Sequence, residues 1–161
     1  MVETNDEIVT LKPRPNYVGA DSAHLVRRVI NGEVKDWVTK ENPFSTPWGR
    51  AQRITIFKRG FRFVTTASHG GFMISAKLAE LRLSAGAKHF GQVYGGYICF
   101  EEDSLFSIIQ FEFPSVAKVM TGREISLEEL AEDLGKGNFT LYCELNNIPL
   151  NSNTTYQVNV V

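Results

Sequence analysis

Three short blocks carry the residue types that could do chemistry: Trp48-Gly49, Ser68-His69-Gly70-Gly71 and Glu101-Glu102-Asp103. His69 sits between a small hydroxyl residue and two glycines. In that context the backbone can turn sharply and a ligand can approach closely, and an imidazole titrates near neutral pH. The acidic triplet supplies what such an imidazole needs as a general base, with Glu102 or Asp103 orienting it or holding a cation. A purely structural reading stands beside this one. Short strand connections often contain Ser, His and Gly, and acids at a helix start complement its dipole.

Other chemistries find less support. Ser68 is no serine nucleophile, because Thr66 stands where a Gly-x-Ser-x-Gly elbow needs glycine. No Gly-Lys-Ser/Thr follows Gly91-x-x-x-Gly95-Gly96, so this is not a phosphate loop. His24 and His89 have no partners at ligand spacing, and the spacing of His69 to the acids specifies no metal; the expectation is no metal and no cofactor. Arg50, Arg53, Lys58, Arg59 and Arg62 are interleaved with Phe57, Phe61 and Phe63. Exposed, such rings and charges would stack bases and track phosphates; the plainer reading puts the phenylalanines in the core. A sequence pI of about 6.3 falls short of a typical nucleic-acid domain.

The elements that must position these blocks can be read along the chain. Residues 1–20 suggest a flexible or edge-lying arm, and Asp21 caps a helix with a Leu25/Val29 stripe that Gly32 ends. Residues 40–49 hold two prolines and a glycine and read as loop. Ala51–Phe57 and Phe61–Thr66 form a hairpin, Phe72–Ile74 a third strand, and Ala76–Leu83 a helix with Leu78 and Leu81 inward. Ser84–Gly91 reads as loop and Val93–Phe100 as one strand with a bulge at Gly95-Gly96. Helices follow at 101–110, 116–120 and, from the Ser126/Glu129 capping box, to Gly135. Phe139–Leu145 and Tyr156–Val161 read as two final strands. The fold class is a single α+β domain over 21–161, largely antiparallel, with a central hairpin and three to four helices.

The chain has 161 residues and a formal charge of −1, which hides a strong polarity. Residues 50–100 hold 8 basic and 1 acidic side chains, and residues 101–161 hold 3 basic and 10 acidic. No apolar run reaches the roughly 18 residues of a membrane span. Cys99 and Cys143 form no CxxC, and the acidic N-terminus is unlike a signal peptide. The expected compartment is therefore the cytoplasm, or that of a host, and the sequons at Asn138 and Asn153 read as turn residues.

Thr46-Pro-Trp48-Gly49-Arg-Ala51, Gly60-Phe-Arg-Phe-Val-Thr65-Thr-Ala-Ser68-His69-Gly70-Gly71 and Tyr97-Ile-Cys-Phe-Glu101-Glu102-Asp103 together resemble an uncharacterised domain family of bacteriophages and mobile elements. That family carries Trp-Gly-x-Ala, Ser-His-Gly-Gly and Glu-Glu-Asp blocks. The resemblance covers residues 45–115 and departs at Phe100, where the family has Tyr, and at Phe106, often Trp. It implies one shared site of Trp48, His69, Gly70, Gly71, Glu102 and Asp103, and no particular activity.

Three functions are therefore expected in competition. The first is a phage or mobile-element accessory protein of the host-takeover or counter-defence type. It would bind a host protein or complex through Arg53, Arg59, Arg62 and the block residues Trp48, Gly49, Ser68, Gly70, Gly71 and Glu101. The second is a small hydrolase or lyase using His69 with Glu102 and Asp103. The third is nucleic-acid binding through the basic hairpin. No membrane partner is expected, and no oligomeric state follows from the residues.

Overall fold

The computed structural model describes residues 24–35, 38–40, 45–132 and 136–150. The expected arm at 1–20, the stop at Gly135 and the strand at 156–161 lie outside the described residues. Where the sequence predicts a helix from Asp21 to Gly32, His24–Ile30 is a strand, β1. Val26 and Arg28 are buried while Leu25, Arg27 and Val29 are partly open, a period of two that the Leu25/Val29 spacing conceals. Asn31-Gly32 is not a helix stop but a two-residue hairpin turn, with φ of 52° and 79° and Ile30 opposite Glu33 of β2 (Glu33–Val34). Positive φ at both positions is what a type I′ turn requires. β3 (Val38–Lys40) runs antiparallel along the other half of β1. Within the stretch read as loop, β4 (Ser45–Thr46) and β5 (Gly49–Arg50) make a small separate hairpin with Trp48 in its turn.

The expected hairpin and third strand are β6 (Arg53–Lys58), β7 (Phe61–Thr65) and β8 (Gly70–Ser75). Helix α1 (Ala76–Arg82) is capped by Ser75, whose Oγ accepts from the Leu78 N–H at 3.2 Å. Ala79 is fully buried and Leu78 packs against the core as expected, but Leu81, also expected inside, is 73% exposed. Ser84 to Gly91 is helical too: α2 (Ala85–Phe90) starts at the Ser84 cap, and Ala87 is fully buried. The single strand expected over 93–100 is instead a second hairpin, β9 (Gln92–Tyr94) and β10 (Tyr97–Glu101), with Gly95 at φ 58° in the turn and Tyr94 opposite Tyr97.

Helices α3 (Glu102–Glu112), α4 (Pro114–Thr121) and α5 (Leu127–Glu132) follow the sequence reading. The capping box closes as expected: Ser126 Oγ accepts from the Glu129 N–H at 3.2 Å and Glu129 Oε1 from the Ser126 N–H at 3.3 Å. The strand expected at Phe139–Leu145 is a helix, α6 (Lys136–Leu145). Phe139, Tyr142 and Cys143 are buried at helical spacing, and Asn138 is a helix residue, not a turn residue.

The strands order β2-β1-β6-β7-β8-β10-β9, with β3 beside β1, and among the described residues only β1 and β6 pair in parallel. This is the expected single α+β domain with a largely antiparallel sheet, carrying six helices among the described residues. Its register makes two rows of cross-strand neighbours. Arg27, Thr55, Phe63, Phe72 and Phe100 share one face; Val26, Ile54, Val64, Gly71 and Glu101 share the other. The first face packs under α3 into a phenylalanine cluster: Phe61 meets Phe113 edge-on at 4.9 Å and Phe63 meets Phe72 at 5.1 Å. Phe57, Phe61 and Phe63 are thus core residues and no platform for bases. The second face buries a smaller cluster of Val26, Ile54, Ile56, Val64, Met73 and Cys99, with Trp48 packed against it. Both cysteines are free and buried, and burial pushes each thiol up to about 11. No helix among the described residues is long and apolar enough to cross a membrane.

Candidate functional site

The site lies at the end of the second row, where β8 opposes β10. Register sets Glu101 opposite Gly71, and the Thr65–Gly70 connection brings His69 alongside. That connection is closed by Thr66. Its N–H donates to the His69 carbonyl at 2.7 Å, and its Oγ1 accepts from the His69 N–H at 3.1 Å and from the Ser68 N–H at 3.4 Å. The Thr66 hydroxyl proton has two acceptors in reach, the His69 carbonyl at 2.7 Å and the Trp48 carbonyl at 3.1 Å. Thr46 holds the other side of Trp48, accepting from its N–H at 3.1 Å and donating to the Gly49 carbonyl at 2.7 Å.

The two glycines are there for close approach. A Cβ on Gly70 would sit 2.4 Å from the Val64 carbonyl oxygen. One on Gly71 would sit 2.3 Å from the Phe100 carbonyl oxygen and 2.6 Å from the edge of the Trp48 indole. Gly71 is therefore where the indole, β10 and the His69 turn meet.

Onto this frame the acids project from the junction of β10 and α3. Glu101 is the N-cap position of α3 but caps nothing with its side chain. Its Oε1 accepts from Ser104 Oγ at 3.0 Å, and its Oε2 lies 3.5 Å from His69 Nδ1. Asp103 Oδ2 lies 3.7 Å from the same nitrogen. His69, Glu101 and Asp103 are the one trio of His, Cys, Asp or Glu side chains among the described residues whose ligand atoms lie within 4.8 Å of one another. The side chains of His69 and Asp103 are 53% and 60% exposed, so the trio is open to solvent, while that of Glu101 is 25% exposed. Glu102, named with Asp103 as the partner of His69, is exposed beside the trio, which takes Glu101 in its place. Partial burial pushes the Glu102 carboxyl up, and the charges of Asp103 and Glu101 add to this, with His69 opposing.

The basic residues named from the sequence are spread over both faces of the sheet. Arg53 opens β6 and Arg59 follows its end, roughly 20 Å apart along an extended chain. Arg62 lies on the second face with its guanidinium 5.5 Å over the Tyr97 ring. Thr46, Thr66 and Ser104, which hold the site together, escaped the sequence reading. The only signal for Thr66 was a hydroxyl three residues before His69, the spacing of a side-chain-closed turn.

Fold and site define a class: an α+β domain whose mainly antiparallel sheet ends, on one face, in a solvent-open imidazole–carboxylate cluster. The chain belongs to the domain of unknown function family DUF7007, whose model matches residues 41–139, a stretch that includes Trp48, His69, Glu101 and Asp103. No curated protein and no solved structure matches it.

Proposed function

We propose that the protein is a small hydrolase or lyase of a small polar substrate, with His69, Glu101 and Asp103 as its reacting centre. The observation that carries this reading is the convergence of one imidazole nitrogen and two carboxylate oxygens, from separate elements, on one point where the His69 and Asp103 side chains are more than half exposed. Such a point can hold and polarise a water or a substrate oxygen, the step that hydrolysis and elimination share. The Trp48 indole lies against Gly71, the residue opposite Glu101, and its backbone is held by Thr46 and Thr66. The test is turnover of a panel of chromogenic carboxyl esters, phosphoesters and amides by the wild type and by His69→Ala. A fall in turnover of about 100-fold or more is expected, with a stability cost of about 0.5 kcal/mol or less, as for a surface residue. A variant that keeps full turnover, or one that loses its fold, removes the reading.

A second reading is favoured by the β6–β7 hairpin, where Arg53 and Arg59 are exposed while Phe57, Phe61 and Phe63 are buried. A hairpin that presents charge without rings suits an acidic protein surface better than single-stranded nucleic acid. In this reading the protein is a bacteriophage or mobile-element accessory that binds a host protein or complex in the host cytoplasm. The resemblance of the three sequence blocks supports that origin. Arg53→Glu with Arg59→Glu should abolish co-purification of the host complex, and His69→Ala should leave it intact; the reverse pattern removes this reading. Oligonucleotide binding with a steep salt dependence would favour nucleic acid instead.

A further inference from the structure

We infer that the His69, Glu101 and Asp103 cluster is a divalent-cation site suited to Zn2+, with His69 Nδ1, Glu101 Oε2 and one Asp103 carboxylate oxygen as its protein ligands. The inference rests on the reading of this cluster as a reacting centre and names the cofactor class it takes. It also departs from the expectation of no metal, because the three ligands are assembled by sheet register and have no ligand spacing along the chain.

The first argument is distance. A charge-assisted hydrogen bond between imidazole and carboxylate closes to about 2.7–2.9 Å. The separations here are 3.5 Å and 3.7 Å. Zn2+ bonds of about 2.0–2.2 Å place neighbouring ligand atoms of a tetrahedron about 3.3–3.6 Å apart, a span the first separation meets and the second slightly exceeds, and the third pair lies within 4.8 Å. An octahedral Mg2+ at about 2.0–2.1 Å needs edges of about 3.0 Å and all-oxygen ligands, and so fits worse on both counts. Ca2+ is large enough but takes oxygen and leaves imidazole aside.

The second argument is an unsatisfied atom. Glu101 Oε2 is shut off from water and has no hydrogen-bond partner, although its sister oxygen is held by Ser104 Oγ at 3.0 Å. A carboxylate oxygen in that state costs free energy that a cation recovers. The Ser104 contact, in turn, is the kind of outer hydrogen bond that aims a ligating carboxylate. The third is charge: two carboxylates share the point with one imidazole and have Glu102 beside them. Three protein ligands leave a fourth position for water, the arrangement of catalytic rather than structural zinc. A cation bound there supplies a Lewis acid and lowers the pKa of its water.

Zn2+ binding to the full chain, freed of metal by a chelator, tests this by isothermal titration calorimetry, with Mg2+ as the contrast. One equivalent of Zn2+ should bind, and Mg2+ more weakly. His69→Ala and Asp103→Asn should each weaken Zn2+ by at least about 10-fold, the effect that losing an outer partner alone can produce. Glu128→Gln, at an exposed acid of α5 outside the trio, should leave affinity unchanged. Both ligand variants change exposed side chains, and melting without metal confirms that they fold. Zn2+ affinity indifferent to both variants, or no stoichiometric binding, overturns the inference. Turnover that persists undiminished in chelator also overturns it while leaving the hydrolase or lyase reading in place. Stoichiometric, variant-sensitive Zn2+ binding without turnover of any substrate upholds the site and removes that reading instead.

Discussion

Glu112 and Glu101 stand at the two ends of α3, and each takes a carboxylate oxygen out of water. Glu112, in the helical layer, is surrounded by donors: it accepts from the Ser84 N–H at 2.9 Å, from Ser84 Oγ and from Tyr142 Oη. It ties α2, α3 and α6 together, and burial with its charge pushes the Tyr142 hydroxyl up. Glu101 has one oxygen held and the other facing a half-exposed imidazole with no hydrogen bond. The first carboxylate has its partners within the fold; the second is only half satisfied by them. A carboxylate that is fully satisfied stabilises, and one that is incompletely satisfied at an open edge is available for chemistry.

That contrast can be broken most forcefully at Glu112. Glu112→Ala orphans the Ser84 N–H and the Tyr142 hydroxyl in the core, each worth about 1–3 kcal/mol, so a loss of about 3 kcal/mol is expected by urea unfolding. If Glu112→Ala proved neutral, the network would not be what anchors the helical layer. A smaller effect is expected at the site's frame: Gly71→Ala forces a Cβ against the Phe100 carbonyl and the Trp48 indole and should cost about 1–3 kcal/mol, with a shift in tryptophan fluorescence. Were it silent, the indole would not be held where the site needs it.

The smallest effect comes from a third carboxylate, satisfied without burial. Arg123 and Ser126 hold exposed Glu129 at about 2, below the ordinary carboxylate range. Its folded value is depressed, so its contribution is fully present above the unfolded value of about 4.3 and is lost as pH falls through about 2. The stability difference between wild type and Glu129→Gln, followed from pH 6 to pH 2, should shrink in that window and nowhere else. High salt should shrink it too, since the Arg123 pair lies in solvent.

Elements that carry their own local chemistry were legible without tertiary information. The Ser126/Glu129 box and the β6–β7 hairpin around Gly60 each satisfy their own backbone groups locally. The misreadings fall where two periods overlap or where glycine has two uses. Leu25 and Val29 fit a helix as well as a strand, and pairing with β6 decided for strand. Gly95-Gly96 could kink a strand or turn it back; the pairing of Tyr94 with Tyr97 turned it back. Phe139, Tyr142 and Cys143 became a helix because α3 and α5 offered a surface for one side of it.

By itself the sequence determined the ingredients: a hydroxyl-imidazole-glycine connection, three consecutive acids at the start of a helix, and a basic segment followed by an acidic one. The tertiary structure decided which ingredients meet. Consecutive residues at a strand–helix junction leave the backbone in different directions, so only a register can choose among Glu101, Glu102 and Asp103. The pairing of Gly71 with Glu101 made that choice, bringing Glu101 and Asp103 to His69 and leaving Glu102 beside them. The same strand geometry set Arg53 at the start of β6 and Arg59 just past its end, so residues six apart in sequence stand roughly 20 Å apart along the strand.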